Sequence, residues 1–106
     1  MFLNKYLNDI YVDLLYDTYS EQFINNLDED NFKKVYILLK KNNFYFIDDI
    51  ILKYLEIFEI DSDCVLKAIN DIKEILGNDY VRIIGNNLSI IDKIIELSIN
   101  YSLNVN

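Results

Sequence analysis

The stretch Asp61–Gly85, DSDCVLKAINDIKEILGNDYVRIIG, holds the clearest helical pattern of the chain and its only two glycines. Its apolar residues recur at spacings of three and four, which places them on one side of an α-helix; they are Val65, Leu66, Ile69, Ile72, Ile75 and Leu76. Asp61 is the predicted N-cap, because its carboxylate can accept a hydrogen bond from a first-turn N–H. Gly77 is predicted to end this helix in a left-handed conformation, which glycine adopts without a Cβ clash.

Further helices are predicted on both sides of this central one. Asn78 can cap a short helix that Gly85 ends, and Asn86 or Asn87 can cap the helix after it. Apolar residues at helical spacing predict four helices outside the central stretch, at about 2–26, 30–41, 45–58 and 87–101.

The predicted fold is therefore all-α, a compact bundle or a short helical-repeat array of five to six helices with glycine corners at Gly77 and Gly85. A chain of 106 residues is expected to form a single domain, spanning 1–106. Its tail, Ser102–Asn106, is expected to fray. Isoleucine is abundant and alone would favour strands, but Ile, Asn, Lys, Tyr and Phe are enriched together in AT-rich bacterial or phage genes.

Composition restricts the classes of function. The net charge of −8 argues against binding a phosphate backbone, which needs clustered Lys and Arg. A single cysteine, Cys64, cannot form an internal disulfide, so a reducing, cytoplasmic compartment is expected. No apolar run has the length of a membrane span, so no membrane partner is expected.

The first predicted helix carries a row of acidic residues. Leu7, Tyr11, Leu14, Leu15 and Thr18 line one face, and the opposite side carries Asp9, Asp13, Asp17 and Glu21. Carboxylates four residues apart stack along a helix and repel each other by roughly 0.2–0.5 kcal/mol per pair. Lys5 is placed to relieve only the first of them. The row is either a solvated face or a ridge that faces a basic partner.

Tyrosines accompany this acidic row. The chain has nine tyrosines, and several of them crowd the first helix. Tyrosine is enriched at protein interfaces, although the same rings could fill the rim of a small core. The candidate partner-binding residues are Asp9, Asp13, Asp17, Glu21, Tyr16 and Tyr19.

Charge is distributed unevenly along the chain. Acidic residues dominate through Asp30, whereas the stretch Lys33–Lys53 has five lysines against Asp48 and Asp49. This division favours docking of the first helix onto a lysine-bearing surface, and it would also suit head-to-tail self-association.

A weak internal repeat is present in the second half of the chain. Aligning Leu39–Ile60 with Ile72–Lys93 gives five identities over twenty-two positions. The offset between the two segments falls in the range of periods that is typical of helix-pair repeats. Coincidence is the alternative in an isoleucine-rich chain.

One segment resembles a known family. Leu39–Ile95 contains Ile75-Leu76-Gly77-Asn78-Asp79-Tyr80-Val81 followed by Ile83-Ile84. This pattern resembles the mitochondrial transcription termination factor repeat, in which a leucine-rich helix precedes a glycine corner, a short helix and an apolar pair. The resemblance implies architecture only, and no binding residue is carried over. The repeat's proline is missing, and the family implies a basic face that binds nucleic acid, whereas this chain is acidic.

The chain lacks the residues that most catalytic, metal-binding and phosphate-binding sites require. Without histidine and with one cysteine, neither a zinc site nor a Ser-His or Cys-His nucleophile can be built. Asp61-Ser62-Asp63 begins like a calcium loop, but apolar residues occupy the later ligand positions. Two glycines are too few for a phosphate-binding loop. No catalytic, metal-binding or cofactor-binding residue is predicted, and the protein is expected not to be an enzyme.

Three hypotheses about function follow. The first is an acidic protein-interaction module, such as a small phage-type (anti-CRISPR-like) or immunity-like inhibitor that docks on a basic surface of a nucleic-acid-binding protein. The second is a structural homo-oligomer. The third is a helical-repeat binder of nucleic acid, which needs one shared face for Lys33, Lys34, Lys40, Lys41, Lys53 and Arg82.

Overall fold

Helices form most of the part of the chain that the computed structural model describes, residues 1–104. In chain order they are a 3₁₀ helix at Phe2–Lys5, α1 at Asp9–Thr18, α2 at Glu21–Asn25, α3 at Glu29–Lys41, α4 at Ile47–Lys53, a 3₁₀ helix at Leu55–Glu59, α5 at Ser62–Leu76, α6 at Tyr80–Asn86 and α7 at Ile90–Leu103. No strand occurs within these residues, and the predicted all-α fold is confirmed.

Helix α5 is the centre of the bundle. It packs most extensively against α7, and it also contacts α3 and α6. The Asp61 N-cap is confirmed, because its carboxylate accepts a hydrogen bond from the Asp63 N–H at 2.9 Å. The buried face is narrower than predicted: Val65, Ala68, Ile69 and Ile72 are buried, whereas Ile75 is 75% exposed.

The two glycines have different roles. Gly77 ends α5 with a positive φ of 84°, as predicted, but its ψ of −168° puts it in the extended region that only glycine populates, outside the left-handed helical region. The predicted corner at Gly85 is wrong, because α6 continues through it to Asn86. A Cβ at Gly85 would lie 2.7 Å from the Tyr45 hydroxyl and 3.0 Å from the Phe46 ring, so this glycine allows close packing.

The predicted first helix, 2–26, is broken into three pieces. The breaks coincide with capping residues that the apolar periodicity does not reveal. The Asn8 side chain accepts a hydrogen bond from the Tyr11 N–H and starts α1. The Ser20 side chain accepts one from the Phe23 N–H and starts α2. The predicted helix at 45–58 is also divided, since Tyr54 leaves the helical region with a φ of −138° and a ψ of 46°.

The C-terminal helix differs from the prediction at both ends. The helix begins at Ile90, and its N-cap is Ser89. The predicted cap Asn87 lies two residues earlier, and its side chain accepts a hydrogen bond from the Ser89 hydroxyl at 2.6 Å. The helix continues to Leu103, so the predicted start of the frayed tail at Ser102 is wrong. Residues 105–106 of that tail lie outside the described residues.

Helix boundaries repeat at the offset found in the sequence. Helix α5 begins at position 62 where α3 begins at 29, and α6 covers 80–86 where α4 covers 47–53. Asp28 and Asp61, which are related by the same offset, cap α3 and α5 in the same way, each accepting from the N–H two positions further along. The pairs α3–α4 and α5–α6 thus have matching helix starts, although α5 ends at Leu76, two residues later than the match to α3 would give. The copies diverge after the short helix.

Candidate protein-interaction site

Helix α1 has an outward surface that is partly acidic and partly apolar. Its buried residues, Val12 and Leu15, orient the helix so that the opposite side faces solvent. On that side Ile10 is 70% exposed and Leu14 is 45% exposed, and their spacing of four makes them neighbours. Grouped exposure of large apolar side chains is typical of interaction sites. The surface is called the α1 face, and it consists of Asp9, Ile10, Asp13, Leu14 and Asp17.

The carboxylates of the α1 face are exposed. None of them forms an ion pair with a basic residue between positions 1 and 104. Asp9 accepts a hydrogen bond from the Asn4 amide at 2.7 Å. Lys5 does not relieve Asp9 as expected, because its ammonium pairs with Glu29 at 2.9 Å. The hydrogen bond to Glu29 and the charge of that carboxylate raise the pKa of Lys5. The repulsion along α1 is therefore not relieved by an ion pair within the described residues.

Glu21 does not continue the acidic row, because α1 ends before it. Tyr19 has extended backbone angles, φ −112° and ψ 151°, and Glu21 is the first residue of α2. The predicted row of four carboxylates is thus divided into three on α1 and an exposed Glu21 on a separate helix.

The two candidate tyrosines lie in different environments. Tyr16 is 39% exposed, and its hydroxyl donates to the Met1 sulfur at 3.6 Å. The Tyr19 hydroxyl donates to Glu56 at 2.8 Å and accepts from the Leu55 N–H at 3.0 Å. Burial, followed by the hydrogen bond to Glu56, raises the pKa of Tyr19 to about 12. Tyr19 thus ties the junction of α1 and α2 to the second 3₁₀ helix, whereas Tyr16 offers part of its ring to solvent.

A basic surface lies on the exposed side of α3. Ile37 is 39% exposed, and its neighbours at positions −4, −3, +3 and +4 on the helix are all lysines. This surface, the lysine cluster, consists of Ile37 with Lys33, Lys34, Lys40 and Lys41. None of the four lysines forms an ion pair within the described part of the chain.

Two grooves meet at the lysine cluster. The larger, of about 490 Å³, is lined by Tyr6, Lys33, Tyr36, Ile37, Lys40 and Lys41. The smaller, of about 260 Å³, is lined by Lys34, Ile37, Leu38, Lys41, Ser62, Asp63 and Leu66. Ile37 and Lys41 belong to both, so the cluster is an apolar ridge between two hollows with positive charge on each side. Lys53 and Arg82 line neither groove, and Arg82 pairs with Asp79.

Sequence reasoning missed the apolar residues of both surfaces. The helical periodicity of the first helix assigns no role to Ile10, and it places Leu14 on the buried face of that helix. The signal for the lysine cluster is present in the sequence, since lysines occupy all four helical neighbours of Ile37. The exposure of Ile10 could not be read in the same way, because the rotation of α1 depends on what it packs against, namely α4 and the N-terminal 3₁₀ helix.

A metal site, a reactive thiol and a membrane-spanning helix would each require particular features of residues 1–104. No group of three or more His, Cys, Asp or Glu side chains there could hold a metal ion. Cys64 is buried in the first turn of α5. None of the helices in this part of the chain combines the length and apolar character needed to cross a membrane.

No family model matches the chain, and neither a curated protein nor a solved structure matches it. The resemblance to the mitochondrial transcription termination factor repeat therefore stays a prediction. The α1 face and the lysine cluster are the observations on which a function can be argued.

Proposed function

We propose that this protein is a non-enzymatic interaction module that docks through the α1 face onto a basic surface of another protein. The observation that carries the proposal is the exposed pair Ile10 and Leu14, bordered by carboxylates without ion pairs. Burial of the apolar pair would supply affinity, at about 25 cal/mol per Å² removed from water. The carboxylates would supply specificity and speed of association.

The partner that fits this chemistry is a nucleic-acid-binding protein. Carboxylates four residues apart are spaced by about 6 Å along a helix, and they form a linear row of negative charge. Grooves that bind phosphate backbones carry Lys and Arg for such a row. The protein would act as an inhibitor that occupies the groove, in the manner of phage-type anti-CRISPR proteins or immunity proteins, a comparison of general character only. A reducing compartment such as the cytoplasm would suit its single buried thiol, Cys64.

The test is a pull-down from a lysate of the source organism. Three versions of the protein serve as baits, and each carries a crosslinker. They are the wild type, an acid-reversed variant with Asp9, Asp13 and Asp17 changed to Lys, and a control with the exposed Glu59, Glu74 and Glu96 changed to Lys. The two variants have the same net charge. We expect the wild type and the control to capture a basic protein that the acid-reversed variant does not, and heparin, a polyanion, to compete with that capture.

Further variants separate the contributions within the site. Ile10→Ser with Leu14→Ser should weaken binding of the captured protein without changing its dependence on salt. Glu21→Lys should have a smaller effect than Asp17→Lys, because Glu21 is on α2. Equal capture by the acid-reversed variant would show that the α1 face is only solvated.

Self-association is the second candidate function. It is favoured by the lysine cluster, a surface of this same chain with charge opposite to that of the α1 face.

A further inference from the structure

We propose that the lysine cluster on α3 is the docking site for the α1 face of a second copy of this chain. The chain has a net charge of −8, yet four of its ten basic residues surround Ile37. None of these four forms an ion pair within residues 1–104. The cluster is therefore a positive surface in an acidic protein, and Asp63 is the one carboxylate of the described residues that lines the grooves beside it.

The grooves beside the cluster favour an apolar and acidic occupant. Ile37 forms the ridge between them, and Tyr36, Leu38 and Leu66 contribute apolar surface to their walls. A nucleic-acid strand would need aromatic faces on which its bases could stack. Tyr36 is a poor platform, because its ring already packs against Tyr6 at a centroid distance of 4.8 Å and carries the Lys40 ammonium at 5.6 Å. A helix with apolar and acidic residues side by side matches the site better.

The α1 face of this chain is such a helix. Ile10 and Leu14 form an exposed apolar ridge, and Asp13 and Asp17 follow it one turn apart along the same side. Docked on α3, the apolar ridge would enter a groove beside Ile37 while the carboxylates reach the surrounding lysines. Opposite charges placed across an interface in this way set the register and exclude other orientations.

The two surfaces are on different helices, and this determines the type of assembly. Helix α1 packs on α4 and the N-terminal 3₁₀ helix, whereas α3 packs on α5, α4 and the second 3₁₀ helix. Each copy therefore offers two different surfaces for contact with other copies. Contacts between two different surfaces generate rings or open chains of copies, in contrast to a closed symmetric dimer.

The inference does not require the basic partner proposed above, but it uses the same α1 face. A copy docked on the α1 face would compete with that partner. Self-association would therefore keep the binding face covered at high protein concentration and release it on dilution.

The test is sedimentation velocity of the purified full chain across a wide concentration range at low and high salt. We expect the wild type to associate with rising concentration, and salt to weaken the association, since exposed charges are screened. The acid-reversed variant, with Asp9, Asp13 and Asp17 changed to Lys, and a lysine-reversed variant, with Lys33, Lys34, Lys40 and Lys41 changed to Glu, should each lose about tenfold or more in association constant, because like charges then meet.

Mixing the two reversed variants gives the decisive measurement. The reversed α1 face of one variant complements the reversed cluster of the other, and each retains one natural surface. An equimolar mixture should therefore regain the association that each variant alone has largely lost. The variant with Glu59, Glu74 and Glu96 changed to Lys should associate like the wild type.

Controls keep the result interpretable if a multiple variant folds poorly. Ile37→Ser changes an exposed side chain and should weaken association while leaving the helical circular dichroism and melting temperature unchanged. A wild type that stays monomeric at low salt, or a mixture that stays monomeric, would overturn the proposal. Binding of single-stranded DNA by the wild type and its loss in the lysine-reversed variant, without self-association, would assign the cluster to nucleic acid. The assay contains no other protein, so its failure would leave the proposed basic partner untouched.

Discussion

Tyr19 lies where α1 gives way to α2, and its hydroxyl bridges Glu56 and the Leu55 N–H. These partners are 36 and 37 residues away in the chain. Tyrosine in an acidic, exposed helix predicts an interface residue, and no local pattern reveals a partner so distant. Tyr19 is therefore bound to a distant segment by two hydrogen bonds. Among the other predicted binding residues, Asp9 bonds to Asn4 and Tyr16 contacts Met1, which both belong to the N-terminal segment.

Replacing Tyr19 by Phe should lower the free energy of unfolding by about 1 kcal/mol at neutral pH, because a hydrogen bond is lost and the Leu55 N–H keeps no side-chain partner. Urea denaturation of both proteins measures this difference. Tyr16→Phe is the matched control, since the Tyr16 hydroxyl contacts only the Met1 sulfur at 3.6 Å, and it should have no measurable effect.

The contribution of Tyr19 should also depend on pH. Folding raises the pKa of this phenol from 10 to about 12, so the folded state holds the proton more tightly than the unfolded state. The stabilisation is complete below pH 10 and is lost as pH rises toward 12. The difference in stability between the wild type and Tyr19→Phe should shrink over that interval. A difference that stays constant from neutral pH to pH 12 would contradict this account.

Substitutions at Gly77 measure the cost of its backbone conformation, because no side-chain clash adds to that cost. A Cβ at this position would meet no atom within 4 Å, so the cost of a substitution comes from the positive φ alone. Gly77→Ala and Gly77→Asn should each destabilise the fold by about 1–3 kcal/mol, measured by thermal or urea unfolding. Asn tolerates the left-handed helical region. A clearly smaller cost for Asn than for Ala would therefore mean that Gly77 adopts the left-handed helical conformation after all.

At the scale of elements, capping residues decide where the N-terminal segment breaks. The apolar period continues through residues 2–26, but the Asn8 and Ser20 side chains bond to N–H groups of the following turns. Such bonds compete with continuation of the preceding helix. The second break also leaves Tyr19 extended, which lets its hydroxyl reach the second 3₁₀ helix.

Ser20→Ala should destabilise the protein by about 0.5–2 kcal/mol, because the Phe23 N–H loses its acceptor. Ser89→Ala is the matched control, since Ser89 is the N-cap of α7 but makes no side-chain capping bond. Its effect should be smaller, because the Ser89 hydroxyl donates to the exposed Asn87 side chain and satisfies no backbone N–H. Urea denaturation of both variants distinguishes them, and equal costs would show that the Ser20 bond does not stabilise α2.

At the scale of the molecule, an aromatic cluster joins the N-terminal segment to the core. Phe32 on α3 stacks on Phe58 of the second 3₁₀ helix at a centroid distance of 4.4 Å. Phe2 and Tyr6 pack on the same Phe32 ring at 5.4 and 4.9 Å. The Tyr6 ring also lines the larger groove of the lysine cluster. The core and the basic surface therefore share this cluster.

Phe58→Ala should cost about 3–5 kcal/mol, because it removes a fully buried ring and leaves a cavity under Phe32. This is a large share of the roughly 5–15 kcal/mol that stabilises a typical domain. Ile75→Ala, at a position that is 75% exposed, should change stability by less than about 0.5 kcal/mol. The urea midpoints of the two variants give the comparison, and similar midpoints would refute the assignment of the core.

Local sequence patterns were enough to predict the all-α class, the helices α3 and α5, the Asp61 cap of α5, and the positive φ at Gly77. These features depend on contacts within a few residues, namely helical spacing, capping and the missing Cβ of glycine. Long-range packing determines which side of α1 faces solvent, how Tyr19 is used, and why Gly85 is a glycine. Each of these follows from a contact between distant segments: α1 with α4, Tyr19 with Glu56, and Gly85 with the Tyr45–Phe46 rings.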